Sequence, residues 1–220
     1  MELNRNSTID VERLKSLLMD RKTTKADSFR IPATAEQTAA MMTAAYMAEV
    51  EYRGREFKSD EGTTDNIRAV AEFLAQEGRK EFGMMMCGTC GNGKTTMVYA
   101  LQNLVNYLDE RGIIRGGLVI IDAKDVAGMT KDKPMFNRNI RNVSMMAVED
   151  MGREPVEVMD FGNVANPVID LMEYRYNEQL FTVVTTNLSP KQIAEKYGKR
   201  LADRFNEMFK KIIFKNGSYR

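Results

Sequence analysis

Apolar residues recur at helical spacing in three stretches of the N-terminal third of the chain. In the first, Ile9 to Met19, apolar side chains lie three and four positions apart, as in an amphipathic helix. The second, Ala35 to Tyr52, follows Thr34, which is a suitable N-cap residue. The third, Thr64 to Gln76, leads into the remainder of the chain. Each stretch is predicted to form a helix.

Beyond Gln76, short apolar runs alternate with helical patterns, which predicts a parallel sheet covered by helices. The predicted strands are Phe82–Cys87, Leu118–Ile121, Val143–Val148, Phe181–Thr185 and Lys211–Phe214. The predicted helices are Thr95–Asp109, Pro167–Tyr176 and Gln192–Met208, the last interrupted near Gly198. Because Arg53 to Thr64 is charged and contains glycine, it is interpreted as a linker. The sequence therefore predicts a small helical N-terminal region, 1–60, and an α/β core domain, 61–220.

Composition narrows the class of protein. A chain of 220 residues is long enough for one α/β domain with a small appendage. Its formal net charge of +1 is too small to attract the whole protein to nucleic acid or to a membrane. No apolar run approaches the ~20 residues of a membrane helix, and the start lacks a signal core, so we expect a cytoplasmic protein. With no histidine and only Cys87 and Cys90, a four-ligand zinc site is excluded.

The segment from Gly88 to Thr95 fits the phosphate-loop pattern G-x-x-x-x-G-K-[ST], between an apolar run and a helical pattern. Its glycines allow backbone N–H groups to surround phosphate oxygens, and the following helix adds its positive end. Lys94 is expected to reach the β- and γ-phosphates, and Thr95 to offer its hydroxyl to magnesium. The residues predicted to bind ATP are Gly88, Thr89, Cys90, Gly91, Asn92, Gly93, Lys94, Thr95 and Thr96.

Such a site also needs an acid for the magnesium shell and a group that positions water. Two apolar runs end in acids: one at Asp122, the other at Glu149 and Asp150. The second is favoured because it supplies both groups. Asp122 has an alternative interpretation as a cap of the next turn, and in a small-molecule kinase it would orient the acceptor hydroxyl.

Two polar features follow. The fourth predicted strand runs into Asn187, which could hydrogen-bond the γ-phosphate or the attacking water. Arg200 and Arg204 lie one helical turn apart on one face. An arginine placed at a neighbour's nucleotide would stabilise the charge of the transition state, although such pairs on a surface are more often solvated.

In their order, these blocks resemble the DnaC-type helicase loaders and the related IstB-type transposition ATPases of the AAA+ class. The resemblance covers about Asp65 to Arg220. It rests on the first strand and phosphate loop and on the blocks Val148–Gly152, Asp170–Tyr176, Thr185–Leu188, Tyr197–Arg204 and Gly217–Arg220.

The resemblance implies a three-layer P-loop NTPase of AAA+ type, with a five-stranded parallel sheet, no C-terminal lid and a nucleotide at a subunit interface. It implies that Glu149 is the magnesium-side acid, Asp150 the water-activating acid and Asn187 the first sensor. Arg204 would be the arginine finger that acts on a neighbouring subunit. The family commonly has Asp-Asp or Asp-Glu where this chain has Glu149-Asp150, which predicts slow ATP hydrolysis. Because Arg204 matches a finger that acts on a neighbour, we expect this hydrolysis to rise with DNA and with self-assembly.

Four functions remain open at this point. The first is a helicase loader that assembles on single-stranded DNA and delivers a replicative helicase. In this function the N-terminal helices would bind the helicase. The second is a transposition helper that works with a transposase on duplex DNA. The others are a small-molecule kinase and an interaction module with a vestigial site. Candidate DNA contacts are the basic residues between the second and third strands, namely Lys124, Lys131, Lys133, Arg138 and Arg141.

Overall fold

The computed structural model describes residues 10–21, 29–129, 140–160 and 163–219. Its helices are α1 (Val11–Arg21), α2 (Ala35–Tyr52), α3 (Glu61–Ala75), α4 (Lys94–Glu110), α5 (Ala123–Gly128), α6 (Pro167–Asn177), α7 (Pro190–Tyr197) and α8 (Lys199–Met208). Its strands are β1 (Gly83–Gly88), β2 (Leu118–Asp122), β3 (Met145–Met151), β4 (Val158–Asp160), β5 (Asn163–Ala165), β6 (Phe181–Thr186) and β7 (Phe209–Phe214). Among the described residues, no helix has the length and apolar character needed to cross a membrane.

Five strands form one sheet in the order β2-β3-β6-β1-β7, and every neighbouring pair is parallel. The predicted five-stranded parallel sheet is therefore confirmed. Strand β6 lies between β1, which leads into the phosphate loop, and β3, which ends in the two acids. The carboxyl ends of these three strands consequently share one edge, which is where ligands bind in open α/β sheets.

Two hydrophobic cores cover the two faces of the sheet, because successive side chains of a strand point to opposite sides. Met84 and Met86 of β1 pack with α2, α3 and α4. Met85, between them in sequence, packs on the other face with α5, α6, α7 and α8. The result is the three-layer arrangement that the sequence predicted.

Helix α2 belongs to the first of these layers. It begins with a capping box between Thr34 and Gln37, which satisfies backbone N–H groups at the helix start. Its Met42 and Tyr46 are buried in the same core as the sheet residues. The division at residue 60 remains a prediction, and the structure adds that α2 packs directly on α3 and α4.

Several boundaries differ from the predicted ones. Helix α3 begins at Glu61, three residues early, because the Asp60 side chain accepts a hydrogen bond from the backbone N–H of Thr63. The long predicted helix after Gln192 divides into α7 and α8 at Gly198, where φ is +86°. The antiparallel pair β4–β5 and helix α5 were not predicted, since such short elements carry little periodicity.

Candidate nucleotide-binding site

The phosphate loop connects β1 to the start of α4, and its conformation depends on glycine. Gly93 has φ of +91°, a left-handed conformation that favours glycine. A Cβ atom there would also lie 2.7 Å from the hydroxyl of Tyr46. The loop residue Asn92 is 1% exposed, and its Nδ2 donates to the carbonyl of Phe214, 2.9 Å away. The loop is thereby fixed to the end of β7.

Lys94 points into this loop. Its Nζ donates to the carbonyl oxygens of Gly88 (2.8 Å) and Thr89 (2.7 Å) and to Oδ1 of Asn92 (2.9 Å). Burial lowers the pKa of Lys94, and the charge of Asp150 acts in the opposite direction. The ammonium group is therefore held by three neutral oxygen acceptors. Anionic phosphate oxygens at the same position would accept stronger hydrogen bonds from it.

Glu149 lies beside the first turn of α4. It is 8% exposed, and within the described chain its Oε1 is buried without a hydrogen-bond partner. Burial raises the pKa of Glu149, while a hydrogen bond from the hydroxyl of Thr95 lowers it. A buried carboxylate oxygen without a partner is costly. Together with a hydroxyl, it forms the kind of oxygen donor set that magnesium prefers, so these residues fit the metal.

Glu149 and Asp150 are consecutive, yet both serve this edge of the sheet. In a regular strand they would point to opposite faces, but the pairing of β3 with β6 shifts register between Val148 and Met151. At this bulge Asp150 has φ of +52°, and its backbone N–H donates to Oγ1 of Thr185 at 2.9 Å. The bulge therefore turns Asp150 toward the phosphate loop, as bulges near functional sites commonly do.

A cavity of about 890 Å³ opens at this edge, within the size range of pockets that hold small ligands. One wall carries predicted site residues, namely Cys90, Gly91, Asn92, Gly93, Lys94, Thr95, Thr96, Asp150 and Asn187. Asn187 follows β6 directly and is exposed. In the same wall, Arg153 pairs with Asp150, with 2.5 Å between Nη1 and Oδ2. The structure therefore brings most of the predicted site together.

The other wall was missed by sequence reasoning. It comes from α2, from the segment that follows it and from the chain end, with Tyr46, Val50, Arg53, Phe57, Asp60 and Tyr219 among its residues. The Tyr219 hydroxyl bonds to Oδ2 of Asp60 (2.8 Å) and to Oγ1 of Thr63 (2.7 Å). Its backbone N–H donates to the carbonyl of Gly91 at 3.0 Å. The one sequence signal for this wall was the block Gly217–Arg220.

The two arginines of α8 lie elsewhere. Arg204 is 17% exposed, with 2.6 Å between its Nη1 and Oε1 of Glu173, and its guanidinium lies over the ring of Tyr176. Arg200 is 76% exposed, and its Nε lies 3.6 Å from the same carboxylate oxygen. Neither lines the cavity, so the predicted finger does not reach the phosphate loop of its own chain.

The remaining candidates have other surroundings. Oδ1 of Asp122 accepts a hydrogen bond from the backbone N–H of Lys124 at 2.7 Å and so caps α5. Among the candidate DNA contacts, Lys124 is exposed, and Arg141 lies 4.1 Å from the ring centroid of Tyr174. The other three, Lys131, Lys133 and Arg138, lie outside the described residues.

Comparisons with known proteins bear on the fold. No family model matches the chain, and neither does any curated protein sequence. Among solved structures, the DnaC helicase loader is 21% identical with a TM-score of 0.54, over 72% of this chain and 93% of that one. DnaI is 22% identical with a TM-score of 0.56, over 74% and 87%. The replication initiator DnaA, bound to AMPPCP and single-stranded DNA, is 19% identical with a TM-score of 0.52, over 73% and 49%.

At these identities the likeness establishes the fold, and it agrees with the family that the ordered sequence blocks resemble. The chain therefore shares its fold, a five-stranded parallel sheet between two layers of helices, with the DnaC helicase loader, DnaI and DnaA.

Proposed function

We propose that this chain is an ATP-dependent DNA-replication protein of the helicase-loader kind, acting in the cytoplasm. It binds ATP and magnesium at the cavity, hydrolyses ATP slowly, and assembles on single-stranded DNA with the nucleotide at a subunit interface. The observation that carries the proposal is that Lys94, Thr95 and Asp150 line one cavity, with Glu149 hydrogen-bonded to Thr95, on a sheet that a helicase loader and DnaA share.

The nucleotide would be held mainly by the phosphate loop. Lys94 exchanges its neutral oxygen acceptors for phosphate oxygens, and the backbone N–H groups at the start of α4 face the same phosphates. Thr95 and Glu149 would hold magnesium, which supplies positive charge to the β- and γ-phosphates. In DnaA, the ATP analogue AMPPCP occupies a protein of the same fold, which supports a nucleotide at this cavity.

Hydrolysis requires that a water molecule be positioned and deprotonated. Asp150 is suited to this because the bulge and its bond to Thr185 hold its backbone in place. Asn187 follows the neighbouring strand and lines the same cavity, and it would hydrogen-bond the same water or the γ-phosphate. The Asp150 carboxylate is paired with Arg153, and release of this pair would be a step before hydrolysis. This arrangement agrees with the slow turnover that the sequence predicts.

The positive charge for the transition state would come from a second copy of the chain. Arg204 does not line the cavity of its own chain, so we assign it to the nucleotide of a neighbour. The partners that we propose are a replicative helicase and single-stranded DNA, by analogy with the DnaC helicase loader and with DnaA bound to single-stranded DNA.

The shared site can be tested by mixing two inactive variants, Lys94→Ala and Arg204→Ala. If each active site uses Lys94 of one subunit and Arg204 of the next, the mixture recovers up to about a quarter of wild-type turnover, because only some interfaces contain both native residues. Turnover is measured as phosphate release with single-stranded DNA. Full activity of Arg204→Ala alone, with no recovery in the mixture, would contradict the shared site.

The choice of partner has a separate test. Purified replicative helicase should form a complex with the chain in the presence of ATP, detected by size-exclusion chromatography. A complex with a transposase on duplex DNA, and none with the helicase, would instead support the transposition helper.

A further inference from the structure

The cavity has a wall that no part of the phosphate-loop motif provides. This wall includes the end of α2 and the segment Arg53–Lys58, opposite the loop residues Cys90–Thr96. Its lining residues include three with cationic side chains, namely Arg53, Arg55 and Lys58. A nucleoside triphosphate carries several negative charges, so a cation fixed on this wall would contact it from a different side than Lys94.

Arg53 is the cation of this wall that the structure holds in place. Its Nε lies 2.6 Å from Oε1 of Glu49, one helical turn earlier. Glu49 is 4% exposed, and its second oxygen accepts a hydrogen bond from Nδ2 of Asn103 in α4, 3.2 Å away. The guanidinium also lies over the ring of Tyr99, 5.1 Å from its centroid. Two residues of α4 thus fix the position of Arg53, directly or through Glu49.

These contacts use one edge and one face of the guanidinium. Among the described residues, the one side-chain hydrogen bond of Arg53 is made by its Nε, so Nη1 and Nη2 have no hydrogen-bond partner there, and the side chain is 36% exposed at the cavity. The terminal nitrogens of an arginine form a fork that suits phosphate oxygens. Arg153 differs, because its terminal nitrogen is bound to Asp150.

Arg53 also lies near the start of α4, where the phosphate loop ends. Tyr99, over which Arg53 lies, is one helical turn beyond Thr95 on the same face of α4. Arg53 is therefore close to the residues that face the phosphates.

We propose that Arg53 is a second phosphate-binding residue of the cavity, which contacts the phosphate chain of the nucleotide through Nη1 and Nη2 while Glu49 holds its Nε. This inference rests on the proposed binding of ATP at the phosphate loop. It assigns part of the nucleotide site to the residue that caps the C-terminal end of α2, in addition to the residues of the phosphate-loop motif.

The test measures dissociation constants for magnesium-ATP, magnesium-ADP and AMP by calorimetric titration of the full chain. Arg53→Gln should weaken ATP binding about tenfold or more, since a charge-assisted hydrogen bond is lost, and AMP binding less than about threefold. Arg53→Lys keeps the charge without the fork and should lie between wild type and Arg53→Gln. Arg68→Gln removes an exposed arginine of α3 and serves as the matched control, with unchanged affinity.

A purely structural role for Arg53 predicts a different pattern. Arg53→Gln leaves the buried Glu49 without its cation and should lower the melting temperature, so the double variant Glu49→Gln/Arg53→Gln is measured beside it. Under the proposal this double variant still shows the ATP-specific loss, while Glu49→Gln alone loses much less affinity. Equal affinity losses for ATP and AMP, or no loss in the double variant, would overturn the proposal.

Failure of this inference is distinguishable from failure of the proposed function. If Lys94→Ala abolishes ATP binding while Arg53→Gln has wild-type affinity, the phosphate loop binds ATP and Arg53 does not contribute. If wild-type protein does not bind ATP, the proposed function itself is wrong.

Discussion

The phosphate-loop side and the arginine side of this protein differ in how complete each is within one chain. On the phosphate-loop side, Lys94 at the start of α4 and Asp150 of β3 line one cavity, and Glu149 of β3 lies beside Thr95. On the arginine side, Arg200 and Arg204 share the carboxylate of Glu173, away from that cavity. One chain therefore gathers its phosphate-loop residues at one edge of the sheet, whereas the two arginines of α8 are paired elsewhere in the same chain.

Because of this difference, ATP binding and ATP turnover should respond to substitutions at different residues. Residues that line the cavity should determine whether ATP binds. Residues of α8 should affect turnover, and their effect should depend on the concentration of assembled protein.

The largest expected effect concerns Lys94. Lys94→Ala should weaken ATP binding by about 100-fold or more, because at least two charge-assisted bonds to phosphate are lost, whereas Arg204→Ala should change it by less than about threefold. Fluorescence titration with a labelled ATP analogue measures both constants. A large loss of affinity in dilute Arg204→Ala would show that Arg204 serves its own chain, and the comparison would fail.

An intermediate effect concerns Glu149 and pH. Burial raises the pKa of Glu149, and only the ionised carboxylate can bind magnesium. As the pH falls, the ionised fraction falls through a range above the ordinary ~4.3 of glutamate. The magnesium-dependent part of ATP affinity should then decrease about tenfold per pH unit below that pKa.

The measurement for Glu149 is ATP titration with magnesium or with EDTA between pH 5 and pH 8. Glu149→Gln is the control, since it retains the titration of ATP itself and removes that of the carboxyl group. Identical pH profiles for the variant and the wild type would show that Glu149 does not hold the metal.

The smallest effect concerns the ion pair that holds Arg204. Glu173→Gln should raise DNA-stimulated turnover up to about fivefold at limiting protein concentration, because an ion pair of this kind contributes up to about 1 kcal/mol and competes with the neighbour's phosphate for Arg204. Glu195→Gln, which removes an exposed ion pair of α7, is the matched control. Reduced turnover in Glu173→Gln would indicate that Glu173 positions Arg204 for catalysis.

Much of the fold could be predicted because its signals are local. The apolar runs located all five strands of the main sheet, and the phosphate-loop pattern located the start of α4 to within one residue. Helix α2 was predicted with the bounds that the structure has, since Thr34 is an N-cap residue recognisable from the sequence, and the structure adds that Gln37 completes a capping box with it. The short pair β4–β5 carried no comparable signal.

Much of the site could not be predicted in the same way. The second cavity wall joins Tyr46, Arg53 and Asp60 to Tyr219 across more than 150 positions of the chain, for instance through the bond between Tyr219 and Asp60. The bulge that directs Asp150 depends on its pairing with Thr185 of another strand. Periodicity reports the side of an element that is buried, but not the element that covers it.

The sequence was sufficient to locate the five strands of the main sheet, the longer helices and the phosphate-loop pattern, because local backbone preference and side-chain periodicity are properties of neighbouring residues. Only the folded structure shows that α2 and the chain end complete the cavity, that a bulge directs Asp150 toward it, and that Arg204 is paired with Glu173. The physical reason is that ion pairs, bulges and the two walls of a cavity bring together residues that are far apart in the chain. The distances between such residues are established only when the whole domain packs.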